Sequence, residues 1–148
     1  MQYLLDSGIL LRLLNREAEL HPLVRRAVRR LKDDDHECVC TLQNLCEFWN
    51  VCTRPPTARG GLGLTFDETL RRLRAIERIT TVLPDLPSVV RHWKELVVLH
   101  KVQGVQVHDT RLVATMDAYG VVRILTLNTS DFLRFGHITA MTPEDVLA

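Results

Sequence analysis

Short apolar runs that read as β-strands alternate along this chain with longer segments of helical period, and that alternation leaves few folds open. The strand-like runs are residues 2–5, "ECVC" from Glu37, "TTVLP" from Thr80, "RILTL" from Arg123 and a short piece of "HITAMTPEDVLA". Between them stand "SGILLRLLN", His21 to Lys32, Thr41 to Arg54, "TFDETLRRLRAIERI", Leu86 to Val102 and "HDTRLVATMDAYG". Strands that alternate with helices are joined in parallel, with the helices covering both faces of the sheet. The expected class is α/β, a three-layer α/β/α sandwich around a mostly parallel sheet.

Local signals place the helix ends. Thr41 can cap the third helix, whose apolar stripe reads as Leu42, Leu45, Cys46 and Trp49, and Thr65 or Asp67 can cap the fourth. In the second helix Leu23, Ala27 and Leu31 share a face, with Arg25, Arg26, Arg29 and Arg30 mostly off it as a solvated surface, as are Arg71 and Arg72. Pro84 and Pro87 precede the fifth helix, and Gly120 closes the sixth. "RPPTARGGLGL", residues 54–64, reads as a mobile loop. "NTSDFLRF" reads as a turn with a short helix, and the chain after the last strand as a tail.

A length of 148 residues, with 46% hydrophobic and 25% charged content, suits one domain over residues 1–148. Nineteen basic and 18 acidic residues leave a net charge of +1, which excludes a polycationic nucleic-acid coat. Contact with nucleic acid must be local. Cys38, Cys40, Cys46 and Cys52 lack the paired spacing of a zinc site and read as buried thiols of a reducing cytosol. No basic leader and no run of membrane-spanning length is seen, so a cytoplasmic, membrane-free protein is expected.

Asp6 interrupts the apolar run "YLLDSGILLRLL" at the point where the first strand should end. In open parallel sheets ligands gather outside the carboxyl ends of strands. Asp131 follows "RILTL" in the same way, Asp109 begins a helix after a polar turn, and Glu47 shares a polar stripe with Gln43, Asn44 and Asn50. Each acid has a plainer role available. Asp6, Asp109 and Asp131 can cap helices, and Glu47 can be solvated. Asp6 is the least easily dismissed, because its apolar flanks threaten it with desolvation.

The stretches "YLLDSGILLRLL", "TLQNLCEFWNVCTRP" and "VHDTRLVATMDAYGVVRILTLNTSDFLRF" together resemble the PIN-domain ribonucleases, and among them the VapC-type toxins of toxin–antitoxin pairs. The resemblance implies a PIN-like fold and a metal-dependent endoribonuclease. Its metal-binding acids fall on Asp6, Glu47, Asp109 and Asp131, with Ser7 and Asn128 as polar helpers. Gly8 departs from the pattern, since many members carry Asn there. Four clustered acids repel and titrate together until a dication arrives, and oxygen-only ligands select Mg²⁺ or Mn²⁺. Arg54 and Arg59, beyond the helix of Glu47, are the expected contacts to RNA phosphate.

Other constellations are weaker. His108 reads as a helix-start residue, "DDDHE" as a solvated turn, and "GGLGL" lacks the Lys-Ser/Thr of a phosphate loop. A dehalogenase-type phosphohydrolase needs a second Asp at position 8, where Gly stands. A non-catalytic PIN-like scaffold that binds RNA or protein is the remaining alternative. The resemblance further implies a small antitoxin partner, docking on Trp49, Val51 and the region of Phe66, and a homodimer formed through helices.

Overall fold

The computed structural model describes all 148 residues. β1 (Gln2–Leu5) is the middle strand of five. It pairs with β2 (Glu37–Thr41) on one side and β4 (Arg123–Leu125) on the other, and β3 (Thr81–Leu83) and β5 (Thr139–Met141) form the edges. Every pairing is parallel, so the sheet is wholly rather than mostly so.

Because strand side chains alternate between faces, the sheet separates two cores. Tyr3, Leu5, Cys38, Cys40 and Leu125 meet α1 (Ser7–Leu13), α2 (His21–Asp33), α3 (Leu42–Thr53) and α4 (Phe66–Ile79). Leu4, Val39 and Ile124 meet α5 (Ser88–His100) and α6 (Gln106–Tyr119) on the opposite face. These are the three layers expected. The thiols of Cys38, Cys40 and Cys52 are buried and unpaired, and burial pushes Cys52 up to about 11, which keeps it inert. Cys46 is exposed, contrary to expectation.

The packing face of α3 also differs from the expected one. Leu42 and Cys46 are exposed, whereas Asn44, Phe48 and Cys52 are fully buried at a spacing of four residues. Asn44 can be buried because its polar atoms are satisfied by Thr41 and Ser7. Phe48 is thus the anchor of α3. Its replacement by Ala should cost about 3–5 kcal/mol. Thermal melts should show Phe48→Ala losing about 10 °C or more, and Leu42→Ala almost nothing.

Two further segments are more structured than their composition suggests. Residues 54–64 fold back on α3 through backbone bonds from Leu62 to Val51, Leu64 to Cys52 and Gly63 to Arg54, at 2.8–3.0 Å. A Cβ at Gly61 would lie 2.1 Å from the Pro55 carbonyl oxygen, so only glycine fits there. The loop read as mobile is therefore tied down. The supposed tail forms α7 (Pro143–Leu147), started by a reciprocal cap between Thr142 and Asp145, and it packs Val146 and Leu147 against the first core.

Candidate metal centre

The carboxyl ends of β1, β2 and β4 and the first turn of α6 form one rim, and four acids are placed there by four different local structures. Asp6 directly follows β1 and caps α1, accepting from the Ser7 N–H at 2.8 Å. Its second oxygen accepts from the Thr126 hydroxyl, also at 2.8 Å. Thr126 follows β4 and in turn accepts from the Asn128 N–H at 3.1 Å. The cap is real, and it does not exclude a second role, because it uses only one of the two carboxylate oxygens.

Glu47 is bound from two sides. Ser7 Oγ donates to one oxygen at 2.6 Å, and Gln43 Nε2 donates to the other at 3.1 Å. Asn44 Nδ2 donates to Ser7 Oγ at 3.2 Å, which fixes the serine between α1 and α3. Asp131 lies in a short 3-10 turn, Thr129–Phe132, where Asn128 Nδ2 donates to it at 2.6 Å. Asp109 sits inside α6, four residues past the N-cap Val105, so the capping role considered for it does not apply.

Electrostatics bind the four into one unit. Asp109 is pushed up to about 7, by burial first and then by the charges of Asp131, Asp6 and Glu47, with Arg134 opposing. Asp6 is also raised, chiefly by burial and further by Glu47 and Asp131, although its bonds from Thr126 and Ser7 pull the other way. Sequence reading placed Gln43 only in the polar stripe of Glu47 and missed Thr126 and Arg134. Thr126 carried a signal, a hydroxyl inside the apolar run "RILTL" just after the strand, while Arg134 is a polar residue like many others.

No three His, Cys, Asp or Glu side chains stand at shared-ligand spacing anywhere in the chain. The chemistry of the set nonetheless fits a hard dication. It offers only oxygen, two of its acids are raised by burial and mutual repulsion, and its helpers Ser7, Thr126 and Asn128 orient individual oxygens. Arg54 and Arg59 are not part of the rim. They lie beyond the far end of α3, about 10 Å of helix past Glu47, and Arg59 is exposed whereas Arg54 Nε is buried without a partner. His108 lends the site its backbone carbonyl, to which Gln43 Nε2 donates at 2.8 Å.

A family profile for the PIN domain matches residues 3–138. The chain belongs to the PIN domain family. No curated protein matches it in sequence. Among solved structures, this PIN domain is similar in fold to VapBC2 from Rickettsia felis bound to a promoter DNA fragment, with a TM-score of 0.72 at 12% identity over 96% of this chain and 98% of that one. It is also similar to VapBC-1 from nontypeable Haemophilus influenzae, with a TM-score of 0.70 at 14% identity over 97% and 99%. A third similar structure is the sarcin-ricin loop cleaving toxin VapC20 from Mycobacterium tuberculosis, at 0.63 and 15% over 88% and 93%. The fold is that of VapC toxins, and no helix is long and apolar enough to cross a membrane.

Proposed function

We propose that this PIN domain is an Mg²⁺- or Mn²⁺-dependent endoribonuclease of the cytoplasm, and the toxin of a toxin–antitoxin pair. One observation carries the reading: four acids from four separate elements share one rim, and burial together with the other three raises Asp109 to about 7. Asp6, Glu47, Asp109 and Asp131 would hold the dication, which would supply Lewis acidity toward a phosphodiester and offset charge on the phosphate. The chain's own groups prepare that step. Ser7 and Gln43 fix Glu47, Thr126 and the Ser7 N–H fix Asp6, and Asn128 fixes Asp131. Asp109 yields its proton as the ion binds.

The fold relatives lend support for substrate and partner, since one is named as a sarcin-ricin loop cleaving toxin and another as a toxin–antitoxin complex. Suitable surfaces exist on this chain. Trp49 and Phe66 stack edge to face with centroids 5.4 Å apart, Phe66 is 65% exposed, and Leu11, Ala18, Val51 and Leu62 line an adjacent cleft. An antitoxin segment with apolar side chains has its seat there. For self-pairing, Val98 and Leu99 of α5 and Val105 beyond it are all more than 70% exposed. Expression of this chain alone should arrest bacterial growth, and co-expression with a small protein encoded directly upstream should restore it. Unimpaired growth with soluble, folded protein in the cells would overturn the toxin reading. A mixed RNA pool left intact by the purified chain with Mg²⁺ or Mn²⁺ would leave only the scaffold alternative.

A further inference from the structure

The first turn of α6 is approached from two directions. Gln43 Nε2 donates to the His108 carbonyl and to Glu47, which ties that turn to the acids. Trp93 Nε1 of α5 donates to the preceding carbonyl, that of Val107, at 2.9 Å. Consecutive carbonyls lie about 100° apart around a helix axis, so the indole and the carboxylates flank the same turn on different sides. Trp93 also forms a wall of a cavity of about 290 Å³, completed by Leu86, Val89, Val90, Asp85 and Arg111. None of these residues takes part in holding the acids.

The lining has a distinct chemistry. Four of the six residues are apolar, and Val90 is 60% exposed, which is unfavourable for a valine unless something covers it. The indole N–H is already satisfied, so what Trp93 offers is its ring, held at a fixed tilt. One cation is present. Arg111 reaches Asp85 at 3.3 Å with both side chains 44% exposed, a weak pairing that a stronger anion can replace. Arg111 stands two residues after Asp109 on α6, about 200° around the helix axis, so its side chain leaves the helix on the side away from the acids.

We propose that this cavity is a nucleobase subsite across the first turn of α6 from the acid centre. An unpaired base of the RNA stacks on Trp93 between Leu86 and Val90, and Arg111 turns from Asp85 to a phosphate flanking that base. Flat apolar walls with one aromatic face and an adjacent cation are what single-stranded RNA recognition requires. Charge complementarity selects this occupant over an apolar peptide, which has no use for the guanidinium. The inference rests on the ribonuclease reading and adds to it the device by which one RNA is preferred to another.

The test uses the full chain carrying Asp6→Asn, to stop cleavage, and Trp49→Phe, so that Trp93 is the only tryptophan. RNA hexamers of A, C, G and U are titrated while Trp93 fluorescence is followed. At least one hexamer should quench it and bind fivefold or more tighter than the weakest. Val90→Asp and Arg111→Gln, which alter exposed or half-exposed side chains, should each weaken that hexamer about tenfold with unchanged circular dichroism. In the cleavage-competent chain the same substitutions should raise KM and leave kcat nearly as it was. Equal binding of all four hexamers, or affinities indifferent to both substitutions, overturns the subsite. So does conversion of a dimer to a monomer by Val90→Asp with quenching unaltered, since a second copy would then be the cover. Quenching without any RNA cleavage by the wild-type chain would instead sink the ribonuclease reading and leave the subsite standing.

Discussion

Asp6→Asn is expected to lower Mg²⁺-dependent RNA cleavage by about three orders of magnitude or more, with the far-ultraviolet circular dichroism of the wild type. The amide keeps the size of the side chain and its carbonyl oxygen, so the cap on the Ser7 N–H survives. It removes the negative charge, and it places a second donor against the Thr126 hydroxyl that now donates to Asp6. Asp109→Asn and Asp131→Asn should lose activity to a similar degree, and pairs of substitutions should be little worse than single ones, as the proposed site requires of acids that act as a unit. Cleavage assays at limiting Mg²⁺ decide the matter. An Asp131→Asn protein with more than a tenth of wild-type activity would return that residue to a purely local role in its turn.

The second large effect is on stability. Asp109 ionises near 3.8 in the unfolded chain and at about 7 in the folded one, so between these values the folded state holds a proton that the unfolded state has lost. Stability contributed by this group therefore falls as pH rises through that window. Asp6 is shifted the same way. His92, raised by its bond from Nε2 to Asp117, adds stability below about 6.5 that is likewise lost as pH rises through its higher folded value. Asp109→Asn separates the two contributions. Without metal, the variant should melt several degrees above the wild type at pH 7.5 and level with it at pH 4. Mg²⁺ should raise the wild-type Tm more at pH 7.5 than at pH 5, since protons compete for the same oxygens, and should raise that of the variant less. A Tm shift by Mg²⁺ that is equal at both pH values would argue against carboxylate ligands.

The sequence showed the layers and the acids for one reason, and hid the supporting contacts for another. Asp6 was conspicuous because a carboxylate among leucines needs an explanation, and Thr41 because a cap residue at a strand end announces the helix behind it. Chain-local patterns carry such information. The face of α3 was misread because Leu42 and Trp49 are as apolar as Phe48, and only the position of β2 beneath the helix decides which side is buried. Asn44 was legible only as part of Glu47's polar stripe and not as a buried anchor, since its partner Ser7 is 37 positions away. The same holds for Asp117, which accepts from His92 at 2.6 Å and from His137 at 2.7 Å, three residues that nothing in the sequence draws together. α7 was overlooked because five residues are too few for a helical period, although its Thr142-Asp145 cap was open to view.

The order of the strands bears on when the rim of acids is completed during synthesis. β1 is synthesised first, yet one of its two neighbours is β4, which follows it by about 120 residues. Until Arg123–Leu125 has left the ribosome, one edge of β1 has no strand to pair with, and Asp6 lacks the Thr126 hydroxyl that holds its second oxygen. Asp131 arrives later still. A nascent chain thus lacks the complete rim of acids through most of its translation, and the four carboxylates come together only when synthesis is nearly finished.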